Sequence, residues 1–307
     1  MDNYTVVIRS VNNSEKFKKA IESVCAQSIS ADEIIICIPN DAIEWSVAHS
    51  NVKFVHSTKG MVSQRFEGIF ASKNKYILLL DDDIDLDTDV AKKMLHEMER
   101  NKVQCIVPYW PELWPKSLFS KIFLSVWGIA IPKASGGIQY TPSGGFFYPT
   151  TNENVHCVET EGGNGAVLLI DKDFLIAKKI EPDFELELVS PYAAREDAAF
   201  IMSFIKQGGK ALMVSGLMFQ HLEGTTKSVS NADFIRIKGQ VVNQFLFWRK
   251  YIFPRYKNNL FNSILSILCL FWHYIGFFVI SLLLSLRKTS HLPISGFFSG
   301  IFNLIIK

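Results

Sequence analysis

Over its first 110 residues this chain alternates short β-rich runs with stretches of helical period, and that alternation limits the possible folds more than any other feature. Thr5–Ile8, Glu33–Ile38, Val52–Val55, Tyr76–Leu80 and Gln104–Val107 read as strands. Between the first two, Phe17, Ala20, Ile21, Val24 and Cys25 recur at helical spacing behind Ser14, a residue suited to cap a helix. Met61–Ala71 and Val90–Arg100 read as the next helices. The pattern predicts an α/β fold, a mostly parallel sheet flanked by helices. Such sheets bind ligands beyond the carboxyl ends of their strands. Polar clusters stand at those ends: Ser10–Asn13, Pro39–Asp41 and Asp81–Asp83.

Regularity fades from Pro108 to Asn164, where prolines, glycines and aromatics dominate. Long irregular stretches in a compact domain usually form functional loops or covers. Trp110, Trp114 and Trp127 suit either an acceptor cover or ordinary core packing. Order returns with a strand at Val167–Ile170, a helix from about Asp197 to Gln207 and a strand near Ala211–Val214.

Leu260–Leu286 is nearly free of charge and long enough to cross a bilayer, although a buried core helix would read alike. Leu292–Ile306 is apolar but short, and reads as re-entrant or interfacial. The basic residues Lys227, Arg236, Lys238, Arg249, Lys250, Arg255 and Lys257, opposed only by Asp233, read as a membrane flank. No nucleic-acid motif accompanies them. The expected division is a domain over 1–225, a basic juxtamembrane segment over 226–259 and membrane-associated helices over 260–307. The five cysteines form no CxxC pair and have apolar neighbours, and no signal-peptide core precedes the first strand. These features predict reduced thiols and a domain on the cytoplasmic face of the cell membrane, anchored by its C-terminal part.

Asp81-Asp82-Asp83 closes the run Leu78-Leu79-Leu80. Three adjacent carboxylates repel one another unless a cation neutralises them, and a magnesium-type ion takes one or two carboxylates together with substrate phosphates. A solvated acidic turn at a helix start is the alternative. A calcium loop fails, because the turn glycine and the closing glutamate are missing.

Several further pieces stand around this cluster in order. They are Val6-Val7-Ile8, Ser23-Val24-Cys25-Ala26-Gln27-Ser28 followed by Glu33-Ile34-Ile35-Ile36, Arg65 with Gly68-Ile69 and Ala71, Glu159–Gly165, and Arg195-Glu196-Asp197. Over roughly residues 4–225 the chain resembles the family 2 glycosyltransferases with the GT-A (Rossmann-like) fold. No single piece is specific; five or six in order are.

That resemblance implies Mn²⁺ or Mg²⁺ as cofactor and a nucleotide sugar as donor. It makes Asp83 the metal ligand, Asp81 the carboxylate shared between metal and nucleotide, and Asp82 the variable middle position. Arg65 would stand near the diphosphate, with a surface salt bridge as its alternative. Asp197 would be the general base and Glu196 would orient the acceptor or support the base, although an acidic pair at a helix start is also a common cap. His221 would complete the metal shell or touch phosphate, or be structural. Gly162, Gly163 and Gly165 would let backbone approach the donor, or form a plain turn. Ser10 lies in the first polar cluster. The base-reading aspartate expected right after the second strand is displaced to Asp41, in Ile38-Pro39-Asn40-Asp41. A UDP-sugar is the default donor, with GDP- and dTDP-sugars open, and the expected acceptor is a lipid-linked glycan used in cell-surface polysaccharide synthesis. A non-catalytic membrane-bound scaffold is the alternative. A glycoside hydrolase would need two carboxylates flanking the bond without a metal grip. A nucleotidyltransferase would need a glycine-rich loop that Ser10–Ser14 lacks.

Overall fold

The computed structural model describes residues 3–47, 49–150, 157–190, 193–222 and 232–306, so Lys227 lies outside the described residues. The first half runs β1 (Tyr4–Arg9), α1 (Glu15–Cys25), β2 (Glu33–Pro39), β3 (Val52–Ser57), α2 (Met61–Ala71), β4 (Tyr76–Asp81), β5 (Ile84–Leu86), α3 (Val90–Asn101) and β6 (Cys105–Pro108). There follow α4 (Leu118–Val126), β7 (Ala130–Lys133), β8 (Gln139–Tyr140), β9 (Phe146–Pro149), β10 (Cys157–Glu159), β11 (Val167–Asp171) and α5 (Lys172–Ala177). The chain ends with α6 (Glu196–Lys206), β12 (Ala211–Val214), β13 (Phe219–His221), α7 (Ala232–Phe247), α8 (Leu260–Arg287) and α9 (Leu292–Ile306).

Among the described residues eight strands form one sheet, ordered β10-β12-β6-β11-β4-β1-β2-β3. β1 pairs in parallel with β2 and β4, β2 with β3, and β6 with β12. β11 enters antiparallel between β4 and β6, and β10 lies antiparallel on β12. β2 shows why this half is parallel and covered: all seven residues of its Glu-Ile-Ile-Ile-Cys-Ile-Pro run are buried. Alternate residues face opposite layers, as the two-residue period of a strand requires. Val7, Ile35, Ile77 and Leu79 pack with Val62, Phe66 and Ile69 of α2 and with Phe200 and Phe204 of α6. Val6, Ile8, Ile34, Ile36, Leu78 and Leu80 pack instead with Phe17, Ile21 and Val24 of α1 and with Met94 and Met98 of α3. Burying each such side chain stabilises the fold by roughly 1.5–3 kcal/mol.

Local signals set the element ends. Ser14 Oγ accepts a hydrogen bond from Phe17 N at 3.1 Å and starts α1, as its sequence position predicts. Gly68 allows α2 to lie close on the sheet: a Cβ there would stand 2.3 Å from Val7 Cγ1 and 2.6 Å from Cys37 Sγ. Helix propensity alone would favour Gly68→Ala by about 1 kcal/mol. Overpacking this contact opposes that with about 1–3 kcal/mol. The substitution is therefore expected to lower stability by up to about 2 kcal/mol net in denaturant unfolding; a gain would refute the close packing.

The irregular region has more order than its sequence announces. β7, β9 and β8 form a small three-stranded sheet among the described residues, and β5 pairs antiparallel with β13. All five cysteines are free, with Cys37 and Cys105 buried and the other three half-buried. The segment after residue 231 is not a plain basic flank. Its helix α7 buries Asn243, whose side-chain amide donates to Leu186 O at 2.8 Å and Ala194 O at 2.9 Å, and Gln244, which donates to Ser143 O at 2.7 Å. Beyond it, α8 is long and apolar enough to cross a membrane, and only 22% of its most apolar stretch is buried.

Candidate active site

The site is built where β1 and β4 end side by side. Their register sets Arg9 opposite Asp81, so Ser10 and Asp82 emerge together. Ser10 Oγ donates to Asp82 Oδ2 at 2.5 Å. Arg9 donates to Asp81 Oδ1, to Glu196 Oε1 at 3.1 Å and to Met61 O at 3.0 Å. The third carboxylate points elsewhere. The β5–β13 pair sets Ile84 opposite His221, and Leu222 N donates to Asp83 O at 2.7 Å. This brings His221 Nε2 to 3.3 Å from Asp83 Oδ2, with Lys16 Nζ at 3.6 Å.

Further lining comes from α6 and the loop before β11. Arg195 takes a left-handed conformation, φ 71°, and swings the first turn of α6 toward the carboxylates. Asp197 Oδ1 accepts from Ala198 N at 2.7 Å, and Oδ2 accepts from Gly165 N at 3.3 Å. Only glycine serves at 165, because a Cβ there would lie 2.6 Å from Asp197 Cβ. Ala166 O accepts from Asp81 N at 3.0 Å, which ties the loop to the acidic cluster. A cavity of about 870 Å³ is lined by Asp81, Asp82, Asp83, Glu196 and Asp197, with Trp110 and His221 also on its lining.

Electrostatics separate the carboxylates by role. Burial raises the Asp82 carboxyl above the ordinary aspartate range, against the hydrogen bond from Ser10. Burial likewise raises Glu196, although the Arg65 and Arg9 guanidiniums pull it down. Glu196 is nearly inaccessible and braces the start of α6 between two arginines. Asp81, Asp83 and Asp197 are all half-buried on the cavity lining.

Among the described residues no three metal-binding side chains stand together to hold an ion unaided. The donor set still fits a divalent ion of the kind that binds phosphates, which needs only one or two protein carboxylates and completes its shell with substrate and water. Neighbouring donors of an octahedral ion with bonds of about 2.1 Å stand about 3 Å apart. Asp83 Oδ2 and His221 Nε2, at 3.3 Å, are close to that spacing. Asp81 is engaged by Arg9.

Residues 5–112 match the family model described as Glycosyl transferase family 2. About the first third of the chain is thus similar to family 2 glycosyltransferases. Among solved structures the chain is similar to "GalNAc-T7 with UDP, GalNAc and Mn2+", with a TM-score of 0.54 and 15% identity. The likeness covers 81% of this chain and 49% of that one, so the chain spans about half the length of this neighbour. It shows the GT-A fold that the sequence predicts. No curated protein sequence matches the chain.

Of the residues singled out in the sequence, the fold brings Ser10, Asp81, Asp82, Asp83, Glu196, Asp197 and His221 to one cavity. Three others stand apart. Asp41 is exposed on the turn after β2 and does not line the cavity. Gly163 packs on Val107, where a Cβ would lie 2.6 Å from its side chain; Gly165 is the loop glycine at the cavity wall. Arg65 is neither a surface salt bridge nor a cavity residue. It is 1% exposed, behind Glu196, with Nη2 donating to Gly165 O at 3.2 Å. The arginine that does reach the carboxylates is Arg9, which sequence reasoning missed. Its signal was its place, the last residue of a buried strand facing the end of the strand that carries Asp81. Of the tryptophans, Trp110 lines the cavity against Phe219, ring centroids 4.9 Å apart, Trp114 stacks on Tyr148, and Trp127 packs on Trp272 of α8.

Proposed function

We propose that the domain transfers one sugar, with inversion, from a metal-bound nucleotide sugar to a lipid-linked glycan in cell-surface polysaccharide synthesis. The observation that carries this reading is the convergence of Asp83 with His221 and of Asp197 on the lining of one cavity. An Mn²⁺ or Mg²⁺ ion held by Asp83 and His221 would offset the diphosphate charge and ease departure of the nucleotide. Asp81, oriented by Arg9, and Asp82, oriented by Ser10, would stand on the nucleotide side of that ion.

Asp197 receives the acceptor hydroxyl's proton as that oxygen attacks the anomeric carbon. The carbon's bond to the diphosphate breaks, and the nucleoside diphosphate leaves on the face opposite the attack, which inverts the centre. Glu196 does not meet the acceptor; it holds the first turn of α6 through Arg9 and Arg65. The long apolar α8 supports a membrane-bound enzyme, on the cytoplasmic face, whose acceptor is held in the same bilayer.

The UDP and Mn²⁺ named with GalNAc-T7 make a UDP-sugar the first donor to test. Because Asp41 is outside the cavity, GDP- and dTDP-sugars belong in the same panel. The expected result is that one nucleotide sugar raises the melting temperature only together with Mn²⁺ or Mg²⁺. Saturation at 100 times Kd corresponds to about 2.7 kcal/mol. A panel in which no sugar nucleotide shifts melting with either ion would defeat the reading.

A further inference from the structure

We propose that α8 does not cross the bilayer but lies along the folded domain, with its outer face, together with α4 and α9, sunk into one leaflet. The proposal rests on the membrane-bound reading above and concerns how the chain meets the membrane.

The folded domain accompanies α8 along nearly its whole length. Ser266 Oγ donates to Pro142 O at 2.7 Å, and Trp272 Nε1 to Val126 O at 2.7 Å. His273 Nδ1 faces Gly128 O at 3.3 Å and Ser143 Oγ at 3.2 Å, and Tyr274 Oη donates to Val241 O at 2.7 Å. Gly276 lets the helix touch Trp127, to which a Cβ would approach within 2.5 Å. At the far end Lys288 Nζ pairs with Asp233 Oδ2 at 2.5 Å, so the end of α8 returns to the start of α7. At about 1.5 Å per residue, the contacts from Ser266 to Lys288 extend over roughly 33 Å. The hydrocarbon core is about 30 Å thick. A crossing helix would therefore carry the Gly128 and Pro142 backbone that it contacts into the bilayer, where irregular backbone is not tolerated against lipid.

The opposite face of α8 has no protein partner among the described residues. Leu260, Phe261, Ile264, Leu268 and Phe271 are exposed, with Phe261 at 73%. α4 joins it through Trp127 and Trp272, ring centroids 4.9 Å apart, and exposes Leu118, Phe119, Ile122 and Val126 along one side. α9 adds Phe298, Phe302 and Ile305. Water-exposed apolar surface of this continuity marks a binding face. Its ends identify the occupant. Lys116 precedes α4, Lys257 precedes α8, and Arg287, Lys288 and His291 follow it. Cationic residues at both ends of an apolar helix suit a helix lying at anionic headgroups, whereas a crossing helix concentrates its cations on one side.

The arrangement also sets the reach of the site. The Arg195 guanidinium, at the cavity wall, stands 5.8 Å over both Phe146 and Phe247, and Gln244 beside Phe247 holds the Ser143 loop on which α8 packs. A continuous series of packed groups thus links the cavity wall to α8, which suits an acceptor whose lipid stays in the leaflet.

The test uses the full chain with an epitope tag at each end, in spheroplasts and in sealed inverted membrane vesicles of an expressing bacterium. Both tags should be digested by protease in inverted vesicles and both protected in spheroplasts. Tags on opposite sides would overturn the proposal and leave membrane anchoring intact. Separately, purified protein should float with phosphatidylethanolamine–phosphatidylglycerol vesicles, and Phe119→Ser with Ile122→Ser should reduce that binding at least threefold at an unchanged melting temperature. Unchanged flotation of that variant would remove α4 from the membrane face and overturn the proposal as stated. Absence of flotation by the parent, with a stable dimer burying α8 instead, would overturn both the proposal and the membrane-bound reading.

Discussion

Asp197→Asn is expected to lower sugar transfer by 10²–10⁴-fold, the usual contribution of a positioned general base. The amide keeps the shape of the side chain, and its single oxygen can still accept from Ala198 N or from Gly165 N, so one of the two backbone bonds is lost while the fold and the donor site should persist. Metal-dependent donor binding should accordingly be unchanged in the melting assay, while turnover collapses. Asp83→Ala should do the reverse. It removes the carboxylate facing His221, and donor binding itself should lose its dependence on metal. The two variants therefore separate proton transfer from phosphate grip. Turnover within threefold of the parent in purified Asp197→Asn would dismiss the base assignment and leave the α6 acidic pair as a cap.

Much of this architecture was legible before any coordinates. The strands predicted at residues 5–8, 33–38, 52–55 and 76–80 form one side of the sheet, and the helix expected at Met61–Ala71 has those bounds. These elements are legible because a parallel sheet buried on both faces needs continuous apolar runs, and its helices need a helical-period stripe. Position at the strand ends then located Ser10 and the three aspartates. Other placements rest on contacts distant in sequence, and His221 was singled out only through the family resemblance. β13 is three residues long, and only its pairing with β5 turns His221 toward Asp83. The β7–β9 sheet is built of short strands broken by glycine and proline, which carry little periodic signal. Arg65 was misplaced for a physical reason. A guanidinium near an expected phosphate site reads as a phosphate ligand, and only the fold reveals the buried Glu196, 131 residues away, that claims it. The same limit applies to α8. Its composition alone suits a crossing, and its polar contacts with Pro142, Gly128 and Val126 become visible only when the chain is folded.

The Arg65–Glu196 pair leads to the largest expected loss of stability. Arg65 is 1% exposed and Glu196 6%, so solvent screens neither charge. The guanidinium also stands 5.3 Å over the Phe200 ring and holds Gly165 O. Arg65→Ala would leave Glu196 with Arg9 as its remaining cation and open a void against Phe200. Breaking one side of a buried ion pair costs about 3–5 kcal/mol, a large share of the 5–15 kcal/mol that holds a typical domain together. Arg65→Lys should recover part of the loss, since one ammonium cannot make both contacts of the fork.

The variant should also carry a pH signature. Burial already places the Glu196 carboxyl above its ordinary value of 4.5, and loss of Arg65 raises it further. With its folded value above the unfolded one, the folded state binds the extra proton between the two values, so stability falls as pH rises through that window. Below it the carboxyl is neutral in both states and its electrostatic cost disappears. The stability deficit of Arg65→Ala against the parent, measured by denaturant unfolding in detergent, should therefore be greatest near neutral pH and shrink on acidification. A deficit below 1 kcal/mol that stayed constant with pH would show that Glu196 does not depend on Arg65, and that something else holds the first turn of α6 against the acidic cluster.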